Sequence, residues 1–347
     1  MKNAIKYFFR ALEVSIILLF LFAVIFHQFV SYGIDQGVGQ LGIVFNARPI
    51  EDVMKDESVG DSIKTKLRLV EEVKKFAVDS LGLKESKNYT TLYDQHGKPV
   101  LWVLTAAEKY RMKSFEWWFP VVGTVGYKGF FKLNNAQKEE QKLIERGYDT
   151  DLGATSAWST LGWFRDPILS NVLNRSEGQI AELFIHEMTH ATLYVKSSVD
   201  FNENLASFIG EEGAIQFLKF KFGDSSTVVA DYLNRKEDYD LFSKQMLIGQ
   251  KKLETLYKLF PDAMPEKDKA SLKKLMILEI ISSLDTVSFH NKQRYKNYFA
   301  GDRLPNNAFF LSYQRYDSKK SDMKKEMEEK FAGDFKKYLN YLINKFR

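Results

Sequence analysis

The chain has 347 residues, of which 45% are hydrophobic, 27% charged and 14% aromatic. This composition excludes a wholly disordered chain, and the length fits one large domain or two ordinary ones. The formal net charge of +5 is mild and no basic run is interleaved with aromatic residues, so we do not expect nucleic-acid binding. The absence of cysteine excludes disulfides, thiolate metal sites and cysteine nucleophiles. Any bound metal must therefore be held by His, Asp or Glu side chains.

The N-terminus has the pattern of a membrane anchor. Lys2, Lys6 and Arg10 precede the apolar segment 14–30, VSIILLFLFAVIFHQFV. Its length is close to that of a transmembrane helix, and the positive-inside rule places the basic end in the cytoplasm. A cleaved signal peptide begins in the same way and is the alternative. We predict an uncleaved signal anchor over residues 1–32 and an exported domain over residues 33–347.

The rest of the chain predicts an α+β fold that is mainly α-helical. Residues 33–42 are glycine-rich, and Arg48-Pro49 marks a break. The predicted elements that follow are helices within 50–83, strands within 89–105, strand and loop over 115–133, a short helix over 136–147 and a strand over 155–163. Ser176 with Gln179 has the pattern of a capping box, so a helix should begin there. Longer amphipathic patterns predict helices over 226–259, 267–284 and 319–346.

The helix predicted after Ser176 contains the sequence His186-Glu187-Met188-Thr189-His190, an HExxH motif. Residues four apart lie on the same face of a helix, so both imidazoles can bind one metal ion. Glu187 lies where its carboxylate can take a proton from a metal-bound water. The chain has only five histidines, and two of them at this spacing around a glutamate predict a Zn²⁺ site.

A zinc ion held by two histidines needs a third protein ligand and an open position. No histidine follows His190 closely, and Glu203 is the first glutamate after it. We predict Glu203 as the third ligand. Glu211 and Glu212 are the alternatives, and either could instead supply a carboxylate to an imidazole N–H.

The HEMTH sequence followed by Asn202-Glu203 and Ala206 resembles the gluzincins, a clan of thermolysin-like and aminopeptidase-like zinc peptidases. The chain is most similar to a family of predicted bacterial aminopeptidases, from about residue 33 to the C-terminus. The segments that carry this resemblance are GQLGIVFNARPI (39–50), FPVVGTVGYKGFF (119–131), YDTDLGATSAWSTLGWFRDPIL (148–169) and PNNAFF (305–310). The resemblance implies a gluzincin-like zinc peptidase domain with a small sheet before the HExxH helix. It also implies a peptide substrate. The N-terminal pattern, for its part, predicts a single-pass protein of the bacterial inner membrane, with its domain in the periplasm or outside the cell.

Several further residues are candidates for the reaction and for substrate binding. Tyr194 is our candidate for stabilising the oxyanion, and the other candidates are Tyr313, Tyr316 and His290. An edge strand containing Ser159, Thr160 and Gly162 could pair with an extended peptide, and Asn306 and Asn307 could bind the substrate backbone. The acidic residues that could bind a free amino group are Asp151, Asp166, Glu211 and Glu212. The oligomeric state is not predicted.

Two functions of other classes are alternatives to the peptidase. One is a non-catalytic, zinc-containing module that binds peptides at the membrane, although such a module has no need of Glu187. The other is a tethered structural or interaction protein that uses its long C-terminal helices.

Overall fold

The computed structural model describes residues 2–119, 123–155, 165–196, 198–296, 299, 304–317 and 320–346. The helices of this part of the chain are α1 (Lys2–Ile25), α2 (His27–Asn46), α3 (Ile50–Lys55), α4 (Asp61–Asp79), α5 (Leu133–Glu145), α6 (Glu177–Thr192), α7 (Val199–Phe222), α8 (Thr227–Lys258), α9 (Glu266–Ser283), α10 (Lys292–Lys296), α11 (Asn307–Asp317), α12 (Lys320–Phe331) and α13 (Phe335–Phe346). The strands are β1 (Arg48–Pro49), β2 (Thr91–Tyr93), β3 (Leu101–Glu108), β4 (Trp117–Phe119), β5 (Gly123–Val125), β6 (Lys128–Phe130), β7 (Tyr148–Thr155) and β8 (Ile168–Leu169). The predicted α+β class with mainly helical content is confirmed.

The predicted transmembrane helix over 14–30 is not formed as one element. α1 ends at Ile25, Phe26 leaves the helical conformation with φ −102° and ψ 27°, and α2 begins at His27. Within the residues that the structure describes, no helix has both the length and the apolar character needed to cross a bilayer.

α2 connects the N-terminal helix to the body of the protein. Its glycine-rich sequence is helical throughout, and its residues Tyr32, Asp35 and Gln36 contact residues at β6 and at the start of α5. The Tyr32 hydroxyl donates a hydrogen bond to the Gly129 carbonyl at 2.9 Å, and the Gln36 side-chain amide donates to the same oxygen at 3.0 Å. The Lys132 ammonium lies 2.6 Å from the Asp35 carboxylate. These contacts fix α2 against β6 and the start of α5.

Three small sheets precede the HExxH helix, where a single small sheet is expected from the sequence. β3 is the central strand of an antiparallel sheet with β6 and β7, and β4 pairs with β5. β2 lies between β1 and β8, antiparallel to the first and parallel to the second. The parallel pairing of β2 with β8 brings the segment that precedes α6 beside the segment that follows α4.

α6 and α7 form the centre of the largest hydrophobic cluster, with α4 and α13 packed around them. Glycines allow this close approach. A Cβ atom on Gly210 of α7 would lie 2.9 Å from the Glu182 carbonyl oxygen and 3.1 Å from the His186 Cβ. One on Gly213 would lie 2.9 Å from the Ile185 side chain. Residues with side chains at these positions would force the two helices apart.

A second cluster holds α8, α9 and α11 together, and it confirms the helices predicted over 226–259 and 267–284. The helix predicted over 319–346 is instead divided into α12 and α13. Ala332 and Gly333, with φ of 51° and 74°, form the break, because these left-handed residues end α12 and turn the chain back.

Candidate active site

α6 begins with the predicted capping box. The Ser176 side chain accepts a hydrogen bond from the Gln179 backbone N–H, and the Gln179 side chain accepts one from the Ser176 N–H. The helix then carries His186 and His190 on one face, with their Nε2 atoms 3.1 Å apart and their ring planes nearly perpendicular at 84°. The sequence spacing therefore produces the predicted pair of converging imidazoles.

α7 returns along α6 and places Glu203 opposite this pair. A carboxylate oxygen of Glu203 lies 3.5 Å from Nε2 of His186 and 3.7 Å from Nε2 of His190. Asn202 fixes the connection between the two helices. Its side chain accepts from the Val195 N–H and donates to the Val195 carbonyl, both at 2.8 Å. Asn202 therefore holds the loop between α6 and α7 in place.

The three side chains fit a divalent metal such as zinc. Their candidate ligand atoms all lie within 4.8 Å of one another. Tetrahedral zinc with ligand bonds of about 2.0–2.1 Å needs ligand atoms about 3.3 Å apart, and the observed separations lie on both sides of that value. The side chains are also only partly buried, which leaves one side of the cluster accessible for a substrate or water.

The electrostatics of the cluster suit a cation. Burial would raise the pKa of Glu203, but its contacts with both imidazoles outweigh this effect and lower the pKa to about 2. Burial would likewise lower the pKa of His186, but the carboxylates of Glu203, Glu187 and Glu182 leave it raised. A carboxylate beside two imidazoles is a donor set that zinc binds in proteins.

Glu187 lies beside this cluster without contributing to it. Burial raises the pKa of its carboxyl, the imidazoles of His186 and His190 partly offset this, and the charges of Glu203 and Asp166 raise the pKa further. A carboxylate of raised pKa takes up protons more readily near neutral pH, as a general base requires.

Of the other predicted residues that the structure describes, two lie near the cluster. The ring of Tyr194 is 6.3 Å from that of His190, and its side chain is 49% exposed. Asp166 is buried, accepts a hydrogen bond from the Asn88 side chain at 3.3 Å, and lies close enough for its charge to act on Glu187.

The acidic alternatives to Glu203 face elsewhere. The Glu211 carboxylate lies 3.1 Å from the Lys236 ammonium, and that of Glu212 lies 3.3 Å from the Lys324 ammonium. Asp151, which was predicted only as a possible partner of a free amino group, lies in β7, opposite Thr105 of β3. Among these acidic residues, Glu203 is the one that the structure brings to both imidazoles.

Asn306 and Asn307 bind the fold rather than an open site. The Asn306 amide donates to the Thr150 carbonyl at 2.8 Å. Asn307 is fully buried, donates to the Glu108 carbonyl at 2.8 Å and accepts from the Tyr257 hydroxyl at 2.8 Å. These bonds connect the start of α11 to the sheet, so the predicted role in substrate binding finds no support in them.

The remaining candidates either lie away from the cluster or belong to parts of the chain that the structure does not describe. Tyr313 packs against Phe242 in the second hydrophobic cluster, and His290 contacts the Glu237 carboxylate at 2.9 Å. The side chain of Tyr316 lies outside the described part of the chain, as does the predicted edge strand with Ser159, Thr160 and Gly162.

Sequence reasoning missed two residues that pack on the helix of the site. Gly210 of α7 lies against His186, and the ring of Tyr89 packs edge-on against Phe184 of α6. Gly210 could have been recognised as a glycine within a helix, a residue that often marks close packing. No local pattern distinguishes Tyr89.

The fold and the site together define a mainly helical α+β protein with a candidate His-His-Glu metal centre. Residues 31–344 match the model of the family described as "Putative aminopeptidase", and the chain belongs to this family. No curated protein and no solved structure matches the chain. The family membership confirms the predicted aminopeptidase family and supports a peptidase with peptides as substrates.

Proposed function

We propose that the protein is a gluzincin-like zinc metallopeptidase that acts as an aminopeptidase. The observation that carries this proposal is the convergence of His186, His190 and Glu203 from two helices, with Glu187 beside them. The family match supports peptide hydrolysis, and the donor set supports zinc as the cofactor.

The mechanism follows from the positions of these side chains. Bound zinc would supply a Lewis acid that activates water and polarises the scissile carbonyl. Glu187 takes the proton of the attacking water and passes it to the leaving amine, because it lies next to a metal ligand and its pKa is raised. Tyr194 is a donor at the exposed edge of the site, near His190.

An aminopeptidase removes one residue at a time from the N-terminus of a peptide, so it must recognise the free amino group of its substrate. Of the four acidic residues considered for this role, Asp166 is the one whose charge acts on Glu187. A peptide strand pairing with residues 159–163 remains a prediction of the sequence.

We also propose that the apolar segment 14–30 holds the protein at the bacterial inner membrane, with residues 33–347 on the outer side. Large apolar side chains of α1 are exposed, among them Phe8, Ile16 and Val24. Exposed apolar surface of this extent is typical of contact with lipid or protein. The basic residues at the N-terminus favour the cytoplasmic side for that end. Activity of a periplasm-dependent reporter fused after Arg347 would support this orientation, and activity of a cytoplasmic reporter alone would contradict it.

The peptidase proposal is tested by separating metal binding from catalysis. Glu187→Gln keeps the shape of the side chain and both imidazoles, so zinc content should match that of the wild type. Cleavage of a mixed library of unmodified peptides should fall by about 10² to 10⁴ in rate. Glu212→Gln is the matched control because Glu212 pairs with Lys324 at the periphery, and it should retain both zinc and cleavage.

The same experiment distinguishes the alternatives. Equal cleavage by wild type and Glu187→Gln would contradict the role of Glu187. Zinc-loaded wild type that binds peptides of the library but cleaves none would indicate the non-catalytic binding module. The cleavage positions in the library give the mode of attack, and internal cleavage would contradict the aminopeptidase assignment.

A further inference from the structure

The outer face of α2 is a stripe of exposed apolar side chains. Its members recur every three or four residues along the helix and are Ile34, Val38, Leu41 and Phe45. Each of them is between 38% and 78% exposed. α2 contains no lysine or arginine, and its one acidic residue, Asp35, pairs with Lys132 of the body. A helix that faces water normally turns its charged and polar residues outwards, so this stripe is the reverse of the usual pattern.

The inner face of α2 is firmly packed, so the stripe is not exposed because the helix is loosely placed. Ile43 is buried and belongs to the largest hydrophobic cluster. Gly39 lies directly against Phe131, where an added Cβ would clash with the ring. The ring centroid of Tyr32 lies 5.9 Å from that of Phe130 in β6. These contacts fix the rotation of α2 about its axis, and this rotation turns the stripe outwards.

Trp118 continues the apolar surface from α2 onto the body of the protein. It lies in β4 and is 59% exposed. Its ring centroid lies 6.4 Å from that of Phe29, which in turn lies 6.5 Å from that of Phe26. Phe26 and Phe29 belong to the apolar segment 14–30, for which we propose attachment to the membrane. The body therefore places an exposed tryptophan beside this segment, and tryptophan is enriched where a membrane meets water.

We propose that the outer face of α2 and Trp118 lie against the surface of the lipid bilayer, so that the folded body is seated on the membrane. This inference rests on the membrane attachment proposed above. A helix with one apolar face lies in the plane of the interface, with that face among the headgroups and the upper acyl chains. Ile34 follows Val30 by about 6 Å along the helix, so a bilayer that holds the segment 14–30 borders the stripe.

The length of the stripe sets the orientation of α2. At about 1.5 Å per residue, Phe45 lies about 22 Å from Val30 along the helix axis. The headgroup layer on each side of a bilayer is only about 5–8 Å thick. An upright α2 would therefore carry Phe45 beyond the bilayer into water, whereas a helix that lies along the surface brings the entire stripe into contact with lipid. The interruption at Phe26 separates α2 from α1, so the two helices need not share one direction.

A second copy of the chain is the other surface that would cover an apolar stripe. Pairing of two α2 helices accounts for the four residues of the stripe but gives no reason for an exposed Trp118 beside Phe29. Contact with lipid accounts for both, because the stripe and the tryptophan adjoin the same membrane-attached segment. Lipid is therefore the partner that these observations favour.

Spin labelling tests this contact in the full-length protein, because the chain has no cysteine and an introduced one is its only thiol. The labelled variants are Val38→Cys, Phe45→Cys and Thr124→Cys, the last of which is opposite Trp118 in the pairing of β4 with β5. Each is reconstituted in vesicles of phosphatidylethanolamine and phosphatidylglycerol. Collision of the label with oxygen, which concentrates in lipid, is compared with collision with a water-soluble nickel complex. We expect the ratio of oxygen to nickel collisions to be several-fold higher at these labels than at a label in water.

Two control labels calibrate the measurement. Ile16→Cys lies in the segment 14–30 and should give the high ratio of a label in lipid. Leu259→Cys is the matched control, because Leu259 is apolar and 72% exposed but ends α8, which packs on α9 and α11. It should give the low ratio of a label in water. All five labelled positions are exposed, so the circular dichroism spectrum of each variant should match that of the wild type.

Each other result overturns the inference in whole or in part. Low ratios at Val38, Phe45 and Thr124 with a high ratio at Ile16 would refute the seating of the body and leave the membrane attachment intact. A low ratio at Thr124 alone would refute the contact of Trp118. Little collision with either reagent on the stripe, together with dipolar broadening between labels, would assign the stripe to a second copy of the chain. A low ratio at Ile16 would overturn the membrane attachment and this inference with it.

Discussion

Replacing Gly210 by alanine should disturb the metal centre from outside it. The added Cβ would lie 2.9 Å from the Glu182 carbonyl oxygen and 3.1 Å from the His186 Cβ. An ordinary contact requires about 3.4 Å, so α7 must retreat from α6 by roughly 0.5 Å. Neither neighbouring atom can rotate away, because one belongs to the backbone and the other begins the side chain of a proposed ligand. Glu203 is on the helix that moves, and both histidines are on the helix that does not.

The expected magnitudes follow from opposing effects. Overpacking a well-packed interface costs about 1–3 kcal/mol, whereas alanine gains about 1 kcal/mol over glycine within a helix. We therefore expect the free energy of unfolding of the metal-free protein to fall by about 1 kcal/mol. Metal sites tolerate displacements of about 0.2 Å, so a shift of 0.5 Å should weaken zinc binding by about 10- to 100-fold.

Urea unfolding followed by circular dichroism measures the first quantity, and competition with a chromogenic zinc chelator measures the second. Gly37→Ala is the matched control, since Gly37 lies in α2 with no atom within 4 Å of an added Cβ. It should raise the free energy of unfolding by about 0.5–1 kcal/mol and leave zinc affinity unchanged. If Gly210→Ala behaves like Gly37→Ala in both assays, the close approach of α6 and α7 does not position the site.

Three further predictions concern single contacts. Glu203→Gln should lose most of its bound zinc, as measured by elemental analysis. Glu211→Gln should retain its zinc, because the Glu211 carboxylate pairs with Lys236 and not with the histidines. The reverse result would assign the third ligand to Glu211. Ser176→Ala removes the cap of the HExxH helix and should lower the free energy of unfolding by about 1 kcal/mol, measured in urea, and an unchanged value would contradict the importance of the cap. Ser58 and Arg48 bind the Asp56 carboxylate and lower its pKa to about 2. A carboxyl whose pKa is lowered in the folded state stabilises the protein at pH values above its ordinary pKa, and this stabilisation disappears as the pH falls towards 2. Asp56→Asn should therefore reduce the pH dependence of the melting temperature between about pH 4 and 2.

Local sequence determined the features that depend on neighbouring residues along one helix. The pairing of His186 with His190 and the capping box at Ser176 need only the geometry of a single helix, and both occur as predicted. The helices α8 and α9 also follow their amphipathic patterns. The break at Gly333 was missed, because the same pattern continues on both sides of a left-handed turn. Similarly, apolar composition over 14–30 does not show that the helix is interrupted at Phe26.

Tertiary structure decided which distant residues meet α6. Glu203 was predicted from its motif, but its choice over Glu211 and Glu212 depends on which side of α7 faces the histidines. That orientation is set by the hydrogen bond between Asn202 and Val195 and by the close approach of Gly210 to α6. Tyr89 arrives from a segment far upstream, held by Asp166 through a backbone hydrogen bond. Its position results from packing between segments that are remote in sequence, and such packing leaves no periodic signal in either segment.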